Sequence, residues 1–289
     1  MLWVTCCSDG TRPFRGIYHN PSKVVTPTIA AAKVAIRSAR ENTSLDIAVM
    51  YDGDSPEFLA FLKSHDVRCI QQRFSYADDP TFWPGNHDAF TAQWCCGAWM
   101  RTDIPSVFPE QEYVLYTDPD VVFNRDPAPL LEQVAPKIVA GVSYGKESKF
   151  PSVSGKGFIN TGVLVINVKA WTKEFDAFID TARKANWGET INFDEGVINR
   201  HFKGRIEFLR RTFNWRPWWG VFEAAPIVHY HGAKIKDLIE YTEWGIESPD
   251  LPGYCAGLWR VGGGGSPFAV DMTRDIARHY VDLYARYNY

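Results

Sequence analysis

The stretch Tyr113-Val-Leu-Tyr-Thr-Asp-Pro-Asp-Val-Val-Phe123 decides the fold. Five residues of strong strand character run into Asp118-Pro119-Asp120, and a second apolar triplet follows. A short, apolar, β-prone run of this kind is the pattern of a buried strand in an α/β sheet. Ligands of open α/β sheets bind just outside the carboxyl ends of the strands, so two acids placed there look into a crevice. Pro119 biases Asp118 towards an extended conformation and helps fix how the pair is presented. Paired hard oxygens suit Mg²⁺ or Mn²⁺ shared with substrate phosphates. The same pair also suits a solvated turn, so the rest of the chain has to decide.

Upstream, Leu2–Cys7 reads as the first strand and residues 8–14 as the loop at its carboxyl end. Thr26-Pro27 is a helix start, Thr as N-cap and Pro at the first helical position, for a helix to about Arg40. Leu45–Tyr51 is the next strand, Ser55-Pro56-Glu57 caps a helix through Lys63, and Val67–Gln71 returns as a strand. This β-α-β-α-β alternation predicts a parallel, doubly wound sheet. Residues 76–87 have loop composition, and a helix is expected over Ala89–Arg101.

Downstream, Ile138–Val142 and Phe158–Val168 read as buried strands, with Ser143–Lys156 between them as a loop or lid. Asn160-Thr-Gly162 opens the second of these, and Gly162 lets a backbone or ligand approach closely. A helix with a core-facing stripe starts near Trp171, and another over Phe193–Phe202 carries Asp194-Glu195 in its first turn. Acids there complement the helix dipole. Ile206–Leu209 is a short strand and Ile227-Val-His-Tyr-His-Gly232 ends the compact part. Gly262-Gly-Gly-Gly-Ser266 is a spacer, and helical spacing resumes from Val270. The expected division is a domain over 1–236 and an extension over 237–289 whose terminal helix packs on it.

The chain has 289 residues, 45% hydrophobic and 15% aromatic, enough for a substantial core. A net charge of −3 argues against a nucleic-acid binder, although six basic residues gather between Arg200 and Arg216. Cys6-Cys7 and Cys95-Cys96 are vicinal pairs, with Cys69 and Cys255 apart, a poor disulfide framework without zinc spacing. Buried thiols of this kind suit a reducing compartment. Met1 leads straight into the first strand, and no apolar run approaches the ~20 residues of a membrane span. A cytoplasmic protein without a transmembrane segment is expected.

Four features stand in order: Asp118-x-Asp120, Asn160-Thr-Gly162, Asp194-Glu195 and His229-x-x-Gly232. Their order and spacing over roughly residues 1–236 resemble the GT-A nucleotide-sugar glycosyltransferases, most closely family 8. The resemblance implies a single Rossmann-like, doubly wound mixed sheet flanked by helices. It implies transfer of a sugar from a nucleotide-sugar donor, UDP-linked by preference, to a glycan or other acceptor hydroxyl, with retention of configuration. It also makes Asp118, Asp120 and His229 ligands of Mn²⁺ or Mg²⁺, with His231 near enough to compete with His229. Arg101, Asn160 and Asp9 then fall on donor-binding positions. Asp194-Glu-Gly-Val-Ile-Asn199 resembles the related family 6 version of its motif, where family 8 usually carries glutamine at the second position. Glu195 is then the candidate nucleophile or stabiliser of the developing charge, and Asp194 the partner of donor-sugar hydroxyls.

The sequence departs from the family 8 pattern after Gly232. The lysine that binds diphosphate is replaced by Ile235, flanked by Lys234 and Lys236, either of which can serve instead. That departure leaves a second reading, a catalytically silent GT-A domain that binds sugar or nucleotide. Gly10-Thr11-Arg12 echoes a pyrophosphorylase signature, but Ser8 and Asp9 stand where the phosphate-cradling glycines belong. Phe213-Asn-Trp-Arg-Pro-Trp-Trp219 is an aromatic cluster suited either to packing or to stacking on an acceptor sugar.

Overall fold

The computed structural model describes residues 1–9, 25–79, 81–82, 96–143, 157–185, 193–231, 235–244 and 273–289. The expected start of a helix at Ala89, nearly all of the loop Ser143–Lys156 and the spacer 262–266 lie outside the described residues.

The expected alternation forms as β1 (Leu2–Ser8), α1 (Val25–Asn42), β2 (Asp46–Asp52), α2 (Pro56–Ser64) and β3 (Arg68–Gln71). Ser55 caps α2 as its sequence position predicts, its hydroxyl accepting from Phe58 N. β4 (Tyr113–Thr117) pairs with β1 in parallel, so β3-β2-β1-β4 is a parallel half-sheet. Beyond it the order continues β7 (Ile159–Asn167), β6 (Val139–Ser143), β8 (Ile206–Leu209). β7 runs antiparallel to both β4 and β6, which makes the seven-stranded sheet mixed.

Nearly every residue of β1, β4 and β7 is buried, which is why they read as unbroken apolar runs. Alternate residues enter two cores. Leu2, Val4 and Cys6 face a cluster holding Trp99, Trp171 and Phe178, while Trp3 and Cys7 join Ala32, Ile36 and Phe58 on the other side. Both faces are thus covered, the doubly wound layout. The helix expected from Trp171 starts earlier, as α3 (Val168–Lys184), because the Asn167 side chain accepts from Ala170 N and caps it. α4 (Phe193–His201) follows where expected.

A second, two-stranded sheet pairs β5 (Val121–Phe123) with β9 (Ile227–His229), antiparallel, with Val121 opposite His229. Behind it lie α5 (Ile235–Trp244) and α6 (Arg274–Ala285), in one cluster with Val34, Val122, Val228 and Tyr230. α6 and the residues that follow it are anchored at named points. Tyr230 Oη donates to Tyr280 O at 2.8 Å, Trp215 Nε1 to Tyr280 Oη at 3.0 Å, and Arg37 Nη1 to Tyr287 O at 3.0 Å. Among the described residues no helix is long and apolar enough to cross a membrane.

Candidate active site

β4 delivers Asp118 at its carboxyl end, as the sequence predicts. The turn is fixed from both sides: Asp118 N donates to Gly162 O at 2.8 Å, and Thr117 Oγ1 donates to Asp118 O at 2.9 Å. Asp118 Oδ1 receives Tyr116 Oη at 2.7 Å and sits 2.9 Å from Arg101 Nη2. Arg101 is buried, its guanidinium 4.7 Å above the Tyr116 ring. Its Nη1 donates to Thr161 O at 2.7 Å. Its Nε hydrogen goes to Ala98 O at 2.8 Å, so the 3.0 Å approach of Asp194 Oδ2 to the same nitrogen is an ion pair without a hydrogen bond. Burial works against the Arg101 charge, but Asp118 and Asp194 outweigh it and hold the group protonated.

Asp120 comes from the turn into β5, and His229 ends β9 beside it. Tyr230 N donates to Asp120 O at 2.9 Å and His229 N to Trp215 O at 2.8 Å, so backbone bonds set the position of both. His229 is fully buried. Its Nε2 stands 3.3 Å from Asp120 Oδ1 and 3.6 Å from Asp118 Oδ2 and has no hydrogen-bond partner. One ligand atom from each of Asp118, Asp120 and His229 falls within 4.8 Å of the others, a grouping that among the described residues no other His, Cys, Asp or Glu set repeats. The grouping takes in His229 and not His231, whose ring centroid lies 5.3 Å from that of His229 and 6.3 Å from that of Trp218. An orphaned buried imidazole nitrogen facing two carboxylates is a donor set that a divalent cation completes.

Glu195, on the first turn of α4, is turned inward. Its Oε2 accepts from Asn160 Nδ2 at 2.9 Å, Thr161 N at 3.1 Å and Thr161 Oγ1 at 3.5 Å. Asn199, one turn later, donates to Glu195 O and exchanges hydrogen bonds with Ile159 N and O, riveting α4 to β7. That explains the Asp-Glu-x-x-x-Asn spacing: i and i+4 share a helix face. Asp194 is also buried, and burial, opposed by Arg101 and reinforced by Asp118 and Glu195, pushes its carboxyl up to about 7. Arg101 therefore stands between Asp118 and Asp194, and Glu195 follows Asp194 on the same helical turn.

Sequence reasoning missed Asn214. It is fully buried in the short 3-10 turn Arg211–Asn214, donating to Asn160 Oδ1 at 2.8 Å and standing 2.8 Å from His229 Nδ1 through Oδ1. The only signal was its place in the Phe213–Trp219 cluster. Of that cluster, Trp219 is buried, Trp215 is pinned through Nε1 to Gly220 O at 2.9 Å, and Trp218 is half-buried beside His231.

Asp9 lies apart from this cluster, fully buried at the end of β1. Its Oδ2 accepts from the Tyr51 hydroxyl and, at 3.2 Å, from Ser55 N, so it ties β1 to the start of α2. Lys236 is exposed on the first turn of α5, and Lys234 lies outside the described residues.

A mixed, doubly wound sheet whose fourth strand ends on Asp-x-Asp, with a small sheet lending a histidine, is the GT-A arrangement of glycosyltransferases. The model of glycosyl transferase family 8 matches residues 14–236, and the chain belongs to that family. No curated protein matches it. Among solved structures it is similar to the galactosyltransferase LgtC in complex with donor and acceptor sugar analogs, with a TM-score of 0.60 at 17% identity over 99% of this chain and 96% of that one. The glycosyltransferase GlyE of Streptococcus pneumoniae TIGR4 gives 0.58 at 17% identity, over 99% of this chain and 62% of that one. Mouse xyloside xylosyltransferase 1 gives 0.53 at 12% identity, over 79% and 96%. At these identities the likeness carries the fold.

Proposed function

We propose that this protein is a metal-dependent, retaining glycosyltransferase that moves a sugar from a UDP-linked donor to an acceptor hydroxyl. The observation that carries the reading is the convergence of Asp118, Asp120 and His229, with His229 Nε2 left without a hydrogen-bond partner. These three residues would hold Mn²⁺ or Mg²⁺. The ion, when bound, supplies positive charge against a departing nucleoside diphosphate.

The chain's own residues do the rest. Arg101 holds Asp118 and Asp194 in place from behind, and Tyr116 donates to Asp118 Oδ1. Asn160 and Thr161 orient the Glu195 carboxylate, which meets positive charge building at the anomeric carbon either as nucleophile or as electrostatic stabiliser. Asp194, beside it, is suited to hydrogen bonding with donor-sugar hydroxyls. Retention follows from the family resemblance. Lys234 or Lys236 takes the diphosphate contact, and Asp9 shapes the nucleotide end through Tyr51 and Ser55. We assign the machinery to residues 1–236, with 237–289 as an extension closing over β5 and β9. Free thiols at Cys6, Cys7, Cys69 and Cys96 favour a cytoplasmic setting.

The deciding experiment is nucleoside-diphosphate release from a panel of nucleotide-sugars, without acceptor, in Mn²⁺ and in EDTA. Metal-dependent release from one sugar is expected and names the donor. Release unaffected by EDTA would overturn the metal reading, and binding of UDP without release would support a silent, sugar- or nucleotide-binding domain.

A further inference from the structure

The polarity of four hydrogen bonds running from β7 to β9 is fixed by one backbone group. Gly162 N can only donate, and it points at Asn160 at 3.2 Å, so the atom there is Oδ1 and Asn160 Nδ2 faces Glu195 Oε2. Asn160 Oδ1 also meets Asn214 at 2.8 Å, which requires the Asn214 amide nitrogen on that side and its oxygen on the other. Asn214 Oδ1 therefore faces His229 Nδ1, at 2.8 Å, and that nitrogen carries the proton. With Nδ1 protonated, the neutral imidazole keeps its lone pair on Nε2, the atom directed at Asp118 and Asp120. The chain of donors reads His229 to Asn214 to Asn160 to Glu195, and His229, Asn214, Asn160 and Glu195 are all buried.

We infer that Asn214 is a positioning residue that serves both halves of the site, setting the His229 tautomer for metal binding and holding Asn160 so that Glu195 keeps its direction. This rests on the metal-dependent reading proposed above. Neither role involves contact with substrate. Each follows from the side chain's having one acceptor and one donor end, which no other residue type of that length supplies except by lengthening to glutamine. The two ends are separable by substitution. Asn214→Asp keeps an acceptor for His229 Nδ1–H but removes the donor to Asn160. Asn214→Ala removes both.

The test uses the full chain and reads Mn²⁺ affinity by calorimetry, separately from hydrolysis of whichever UDP-sugar the panel identifies. Asn214→Ala should weaken Mn²⁺ binding about ten- to a hundredfold, the usual loss when the partner of a ligating histidine is removed. Asn214→Asp should bind Mn²⁺ within about threefold of wild type, while donor hydrolysis at saturating Mn²⁺ falls at least tenfold and the donor KM changes little. A merely structural role would lower the melting temperature of both variants and leave this split absent. An unchanged Mn²⁺ affinity in folded Asn214→Ala would overturn the tautomer role. Equal losses of affinity and turnover in Asn214→Asp would overturn the two-ended role. If wild type itself binds no Mn²⁺, the metal reading fails and this inference with it, a result distinct from either of those.

Discussion

Gly162 and His229 compete for the same space, and only the absence of a side chain at 162 lets both fit. A Cβ built on Gly162 would collide with His229 Cε1, lie 2.8 Å from Nδ1 and sit 2.9 Å from Asp118 Oδ2. The backbone there is ordinary strand, so the requirement is one of volume and not of conformation. Gly162→Ala must therefore push the imidazole away from Asp118. Overpacking of a filled site costs about 1–3 kcal/mol. Thermal unfolding should register that loss, and Mn²⁺ affinity should fall at least tenfold. Wild-type Mn²⁺ affinity in the alanine variant would show that His229 is not a ligand.

Asp120→Ala removes one of three converging ligand positions while leaving the backbone bond from Tyr230 N to Asp120 O in place. Metal-stimulated release of nucleoside diphosphate should be lost, and excess Mn²⁺ should restore little of it. Rates close to wild type would move the metal assignment elsewhere.

Glu195→Gln keeps an oxygen to accept from Asn160 Nδ2 and Thr161 N, so the fold around α4 should survive. What it removes is negative charge at the reacting centre. If Glu195 acts on that centre, kcat should fall on the order of a hundredfold or more, with little change in donor KM. A drop below about tenfold, ~1.4 kcal/mol of barrier, would reduce Glu195 to an acid that organises β7 and α4.

The parts of this site readable in the chain are those that depend on local order. The end of β4 at Asp118, the first-turn position of Asp194-Glu195 and the close approach at Gly162 all follow from spacing, strand length and helix geometry. The strand direction of β7 did not, because an unbroken buried run looks the same whether its neighbours run parallel or antiparallel. Nor did the division of the acids between two sheets, which arises only when β5 leaves β4 and pairs with β9, about a hundred residues later. Asn214 was silent for the same reason. Its partners, Asn160 and His229, lie 54 and 15 residues away, and nothing in its immediate neighbours distinguishes it from a loop asparagine. Spacing likewise does not reveal that Asp9, expected at the donor, also has its Oδ2 engaged by Tyr51 in β2 and Ser55 at the start of α2.

Arg101 is the counter-charge for two acids at once, 2.9 Å from Asp118 and 3.0 Å from Asp194. Arg101→Leu would leave the buried Asp194 carboxylate without its counter-charge, a defect that typically costs about 3–5 kcal/mol. The loss should depend on pH. Arg101 holds the Asp194 pKa down against burial, so without it Asp194 rises above about 7 and is neutral below neutrality. Denaturant unfolding should show a larger deficit at pH 8 than at pH 5.5. A pH-independent deficit would mean that lost packing on Tyr116, and not charge, is responsible.

Asp103 offers a test of buried-acid energetics away from the site. Its Oδ2 accepts from Ser75 N at 2.7 Å, while buried Oδ1 has no hydrogen-bond partner. Burial raises its carboxyl to about 7, the bonds from Ser75 pulling the other way, against an ordinary value of 3.8. Between those two values the folded protein holds a proton that the unfolded chain has released. Stability from this group is then fully present below about pH 4, declines as pH rises and is lost once pH passes about 7, a span of at most ~4 kcal/mol. Asp103→Asn is neutral throughout and keeps an acceptor for Ser75 N. It should therefore be more stable than wild type at pH 8.5, with the advantage shrinking steadily towards pH 4. Paired urea titrations across that range measure the difference directly, because every other titrating group is common to both chains. A constant offset between the two proteins would mean that Asp103 is already ionised in the fold and that its unpartnered oxygen is solvated from a direction the burial does not reveal.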